Sequence, residues 1–179
     1  RTLIIFGLGL LLNGFPKYQL GSIRIMGVLQ RISLCYFFAS LLYLRLNIRG
    51  LITTAISLLI GYFLLMKFIP VPGFGAGSFT KEASLASYLD RFLLSGHLYR
   101  PEYDPEGILS TLPAIAQALM GVLTGVWISQ NRMSLKIRQF FIVGGLLIGI
   151  GELWNLSFPI NKALWSSSYV CLTTGFALI

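Results

Sequence analysis

Three runs of about twenty nearly uninterrupted apolar residues, Val28 to Leu46, Leu51 to Ile69 and Ile108 to Ile128, set the terms on which this chain can fold. A helix rises about 1.5 Å per residue, so roughly 20 apolar residues match a hydrocarbon core about 30 Å thick. Inside that core every backbone polar group needs a partner within its own segment, which selects helices. A fourth run, Ile137 to about Trp154, is slightly short and rich in glycine, and two more, Thr2 to Leu12 and Ala163 to Ile179, are clipped by the ends of the chain. Only 11% of the residues are charged and 55% are hydrophobic, whereas soluble domains carry about a quarter charged residues. The expectation is an all-α polytopic membrane helix bundle of about six spanning segments, the first and last truncated. It reads as a single transmembrane domain fragment, 1–179, of a larger protein. Arg1 to Leu12 begins like a signal peptide, but Asn13-Gly14-Phe15-Pro16 makes a poor cleavage site, so the segment reads as the end of a spanning helix.

Charge orients the bundle. With six alternating spans, Arg1, Arg45, Arg49, Arg132, Lys136 and Arg138 fall on one side, and all the acidic residues, Glu82, Asp90, Glu102, Asp104, Glu106 and Glu152, on the other. The excess of Lys and Arg marks the cytoplasmic side, which places the long loop of about 70–107 outside. The net charge of +8 is thus a topology signal; the partner it implies is a lipid bilayer, and no nucleic acid. Lys17, Arg24 and Arg31 sit on the wrong side for this rule. Cys35 and Cys171 lie within apolar runs and read as core packing.

The polar residues that remain gather near helix entrances. Arg24 and Arg31 are seven apart and share a face if the helix already includes Arg24. Arg31, with Gln30, lies about one turn inside the apolar run, where it either snorkels to the interface or forms a cationic wall for an anionic group or a substrate carbonyl. The loop opens with Pro70-Val71-Pro72-Gly73, which breaks regular helix, and Thr80 then caps a short interfacial helix from Lys81 to Leu94 with Leu85, Leu89, Phe92 and Leu93 on one face. In Asp104-Pro105-Glu106 the aspartate reads as the cap of the next spanning helix. Glu106 has a second reading, contact with a sugar hydroxyl or an amine. Pro113 is expected to kink that helix. Gly121 with Gly125, and the series Gly144, Gly145, Gly149 and Gly151, suggest close helix packing. Glu152 reads equally as an interfacial or a functional carboxylate. Asn161 reads as a cap and Trp165 as an interface anchor. His97 reads first as a solvated loop residue, and with Glu106 it completes the weak candidates for a catalytic role. One histidine and two membrane cysteines leave no metal-ligand spacing, and neither a Walker loop nor a serine elbow is present.

Three segments, RIMGVLQRI (Arg24 to Ile32), YDPEGILSTLPAI (Tyr103 to Ile115) and FPINKALWSSSYV (Phe158 to Val170), resemble the bacterial relatives of the heparan-alpha-glucosaminide N-acetyltransferase family. The resemblance implies a bacterial inner-membrane acyltransferase that takes an acetyl group from acetyl-CoA on the cytoplasmic side and delivers it to an extracytoplasmic amino sugar or glycan, with a homodimer left open and no metal. Carried onto this chain, it implies that Arg24, Gln30 and Arg31 line the cavity for donor or acceptor. Asp104, Glu106, Asn161 and Lys162 would stand at its extracytoplasmic rim. The family's proposed catalytic histidine belongs to an upstream helix and loop, a position that His97 does not match; a fragment without that helix is expected to be inactive alone. Two competing readings are a secondary transporter, with Arg31, Glu152 and the Pro113 kink as a midplane site, and a structural membrane subunit without chemistry.

Overall fold

The computed structural model describes residues 1–130 and 133–179, with side-chain surroundings for 1–129 and 137–179. Arg132, one of the residues used above to orient the chain, lies outside them. The described residues form seven helices: α1 (Thr2–Gly14), α2 (Val28–Arg45), α3 (Ile48–Phe68), α4 (Leu85–Leu93), α5 (Thr111–Gln130), α6 (Met133–Asn155) and α7 (Ser167–Leu178). Three of them, α3, α5 and α6, are long and apolar enough to cross a membrane. Of the other expected spans, α1 and α7 have 13 and 12 residues, and α2, at 18 residues, carries Gln30, Arg31 and Arg45.

Helix pairs follow chain order, α1 on α2 and α6 on α7, while α5 packs between α2 and α3. One core joins Ala39 of α2, Leu51, Ala55 and Leu59 of α3, Ile115, Ala116 and Leu119 of α5, and Val170 and Cys171 of α7. A second gathers Tyr62, Met66, Val71, Leu85, Ala86, Phe158 and Leu164 and seals one end of the bundle. There the Tyr62 hydroxyl donates to the Leu164 carbonyl at 2.6 Å and Ser167 donates to the Leu59 carbonyl at 2.7 Å. A buried hydroxyl without such a partner would cost about 1–3 kcal/mol. The connectors 15–27, 69–110 and 156–166 therefore share one end.

Several local expectations change. Helix α4 begins at Leu85 with Ser84 as its cap, not at Lys81, and Thr80 instead accepts from the Ala83 N–H. Its buried stripe is Leu85, Ala86, Ser87 and Asp90, whereas Phe92 and Leu93 are exposed, because the helix packs its N-terminal half against the bundle end. Helix α5 starts at Thr111, so Pro113 is its third residue, where an N–H has no helical partner to lose, and no kink is required. Helix α2 starts at Val28, which leaves Arg24 outside it. Among the described residues a Cβ added at Gly121, Gly125, Gly145 or Gly149 would meet nothing within 4 Å, so these glycines make no packing contact there. Gly144 and Gly151 do: a Cβ there would approach α7 backbone atoms to 2.8 and 2.9 Å.

Candidate functional site

The three connectors converge on a layer of charges. Arg24 is held where Asn13 donates to its carbonyl at 2.9 Å. Its guanidinium grips Asp104 through two N–H groups, at 3.0 and 2.6 Å, and also binds Glu106. Asp104 is 4% exposed and accepts the backbone N–H groups of Tyr99 and Glu106 at 2.8 and 2.9 Å. Its role is therefore to close the turn before the helix and anchor Arg24; it does not cap α5. Burial, the largest single influence, pulls the Arg24 guanidinium down, but the bonds and charges of Asp104 and Glu106 more than offset it and hold it above the usual arginine range.

Beneath this layer lies a group that sequence reasoning left aside. Asp90 is 1% exposed and accepts the Ile108 N–H at 2.8 Å, while its Oδ2 is buried without a partner among the described residues. Burial, against the Ile108 bond and with Asp104 adding to it, pushes this carboxyl up to about 6. Gly107 has to be glycine here, since a Cβ would sit 1.7 Å from Asp90 Oδ2.

Gln30 and Arg31, adjacent in sequence, point to different places. Gln30 is wedged between α1 and the α2 entrance, where a Cβ on Gly9 or Gly27 would meet it at 2.7 or 2.8 Å. Arg31 faces the connectors that lead into α5 and α7. It is 5% exposed, donates to Ser110 and, at 3.4 Å, to the Gly107 carbonyl, and lies 4.9 Å from the centre of the Trp165 ring. A snorkelling arginine would keep its head in the interface; this one is buried in the protein. Trp165 donates its indole N–H to Gln117 Oε1 at 2.8 Å, and Gln117 donates in turn to Thr173 at 3.2 Å. The Trp165 backbone is left-handed, with φ of 51°, a conformation that costs a residue with a side chain about 1–2 kcal/mol. Trp165 thus joins Arg31 to Gln117 at this end of the bundle.

Three cavities order these residues. An inner one of about 520 Å³ is lined by Arg31, Cys35, Tyr36, Glu106, Gln117, Trp165 and neighbours from α2 and α5. An outer one of about 360 Å³ is lined by Lys81, Pro105, Glu106, Asn161, Lys162, Ala163 and Trp165, so Glu106 and Trp165 form the partition between the two. The third, of about 650 Å³, continues between α2 and α5 from Tyr36 and Ala118, which it shares with the inner cavity, to Leu44 and Ser129, with Gly125 in its wall. Asn161 accepts the Ala163 N–H at 2.9 Å, and Ser166, not Asn161, caps α7. His97 stands apart: a ring nitrogen lies 2.7 Å from the Ile23 carbonyl, tying the loop to the 15–27 connector. Glu152 is exposed on α6 and lines none of these cavities, so Arg31, Glu152 and Pro113 do not form one site.

Together, the helices and this buried charge layer define an integral membrane protein of the polytopic helical class with a polar site at one end of its bundle. Heparan-alpha-glucosaminide N-acetyltransferase of Homo sapiens is 31% identical over 235 aligned residues, covering 99% of this chain and 35% of its own length. The protein of the same name from Mus musculus is 28% identical, covering 99% of this chain and 36% of its own length. The chain is similar to these proteins along nearly its whole length, and it spans about a third of theirs. No family model matches it.

Proposed function

We propose that this chain forms part of a membrane acyltransferase that moves an acetyl group from acetyl-CoA on the cytoplasmic side to the amine of an extracytoplasmic amino sugar or glycan. The observation that carries the reading is a run of three neighbouring cavities that share lining residues. It leads from Leu44 and Ser129, beside the basic Arg45 to Arg49 turn, along α2 to Arg31, and through the Glu106–Trp165 partition to Asn161 and Lys162. The stretch from Arg31 to Leu44 alone corresponds to about 20 Å of helix. Such a path lets a thioester on an extended arm enter from one side while an amine approaches from the other. Positioned partners of this kind remove much of the entropic barrier to a two-substrate reaction.

In this scheme the loop of about 70–107 is extracytoplasmic, the membrane is a bacterial inner membrane, and 1–179 act as one transmembrane domain. Asn161, Lys162 and Glu106 meet the acceptor. Arg24 and Asp104 hold Glu106 in place, and Gln30 fixes α1 against α2. The amine must lose a proton before or during attack. Glu106 is the carboxylate nearest that point, and His97, bonded to Ile23, serves the fold.

The test uses the full-length protein that carries this chain, reconstituted in sealed vesicles with labelled acetyl-CoA on the side of the Arg45 to Arg49 turn and glucosamine on the other. Labelled N-acetylglucosamine appearing with the acceptor supports the proposal. Unaltered glucosamine crossing the vesicle membrane, without acetylation, overturns it in favour of transport.

A further inference from the structure

We propose that the Arg31 guanidinium receives the carbonyl oxygen of the transferred acyl group in the inner cavity, and that Gln117 and Trp165 are positioning residues for it; the inference rests on the acyltransferase reading above. Arg31 is the one cation among the residues lining that cavity. Its Nη2 is committed to Ser110 and Gly107, but Nε and Nη1 are buried with no hydrogen-bond partner among the described residues. Buried donors without partners are costly, and a buried charge more so. A carbonyl oxygen that enters during function would meet that need.

The surroundings fit an oxygen that becomes negative in passing. The inner cavity is otherwise lined mainly by apolar side chains such as Val28, Ile32 and Ala114, with Glu106 its one carboxylate, and an apolar lining screens the guanidinium's charge weakly. The Arg31 guanidinium carbon lies over the Trp165 ring, 4.9 Å from its centre. The ring is itself fixed by Gln117 and by a left-handed backbone. Donors directed at the oxygen in an apolar site stabilise the charge that develops on it.

The chemistry balances. The acceptor amine attacks the acyl carbonyl carbon, a C–N bond forms, and the carbonyl π pair moves onto oxygen beside Nε–H and Nη1–H. Collapse restores the C=O bond and breaks the C–S bond. The coenzyme leaves as thiolate, and the proton lost by the amine passes through a base to that sulfur.

The experiment measures kcat and the KM for acetyl-CoA in the full-length protein for Arg31→Lys, Trp165→Phe, Gln117→Leu and Gln117→Glu. Arg31→Lys keeps the charge and loses the planar donors, so kcat falls about 100-fold with KM little changed. Trp165→Phe keeps the ring and lowers kcat by less. Gln117→Glu retains an acceptor for the indole N–H and keeps more of kcat than Gln117→Leu. Wild-type kcat in Arg31→Lys, or a raised KM at unchanged kcat, overturns the inference while the acyltransferase reading stands. Should Arg31→Lys fail to fold, the Gln117 pair decides, equal kcat in the two overturning the inference. A wild-type protein that transfers no acetyl group overturns both.

Discussion

Replacing Asp90 by Asn isolates the energetic consequence of burying one carboxylate beneath the charge layer. Asp90 is 1% exposed, one oxygen lacks a partner among the described residues, and burial raises the group from 3.8 to about 6. A folded-state value above the unfolded one means that the folded protein holds this proton more tightly. The group's favourable contribution is then complete below about pH 4 and is lost as pH rises through about 6. At 1.36 kcal/mol per pKa unit the loss amounts to roughly 3 kcal/mol. Asparagine imitates the protonated acid: its carbonyl can keep the bond from the Ile108 N–H, and it carries no charge to desolvate. The assay is thermal unfolding of the purified protein in detergent between pH 4 and 7.5, wild type beside Asp90→Asn. The two are expected to coincide near pH 4. At pH 7 the variant is more stable by up to about 3 kcal/mol, which is several degrees at roughly 2–4 °C per kcal/mol. Arg31, Arg91 and Asp104 act on the group in both proteins' backgrounds, so the difference between the curves isolates Asp90. A gap that stays constant with pH, or a variant less stable at pH 7, refutes the reasoning.

Other substitutions probe separate contacts. Gly107→Ala places a Cβ 1.7 Å from Asp90 Oδ2 and is expected to destabilise by about 1–3 kcal/mol; adding Asp90→Ala should recover much of that loss, a non-additivity that a double-mutant cycle reads directly. Arg24→Ala leaves the buried Asp104 carboxylate without its cation, at a cost of about 3–5 kcal/mol by thermal unfolding, and Asp104→Asn in the same chain should relieve it. Gly125→Phe fills the groove between α2 and α5 where nothing lies within 4 Å; acetyl transfer should be lost with little change in melting temperature, whereas Gly151→Phe, against the α7 backbone, should lower the melting temperature. Cysteines placed at Ala76 and Arg49 should react from opposite sides of the membrane with an impermeant reagent, Ala76 from outside.

The long helices were legible because apolar length is a local property: the runs of Val28 to Leu46, Leu51 to Ile69 and Ile137 to Trp154 lie within a few residues of α2, α3 and α6. The start of α5 was not, because Ile108 and Gly107 are spent on bonds with Asp90, Thr111 and Ser110 before the helix begins. Arg24, Asp104 and Glu106 could be singled out as charges near helix entrances, but their pairing joins residues 80 and 82 apart, and no spacing announces that. Gln117 and Trp165 look like a polar interruption and an interface aromatic until the fold brings them together across 48 residues. Asp90 sat unremarked in an amphipathic helix. Only the fold shows that it shares the buried stripe of α4 with Leu85, Ala86 and Ser87. Gly121 and Gly125 show the opposite failure, a spacing that signals packing where the structure has open space.

The most direct measurement uses a thiol already in place. Cys35 lines the inner cavity and is half-buried, while Cys171 is 3% exposed in the core between α3, α5 and α7. The full-length protein in detergent is treated with a small maleimide, with and without acetyl-CoA, and modification at each cysteine is followed by mass spectrometry. If the cavity takes the acyl donor, acetyl-CoA slows modification of Cys35 and leaves Cys171 unaffected. Equal modification of Cys35 with and without acetyl-CoA would contradict it.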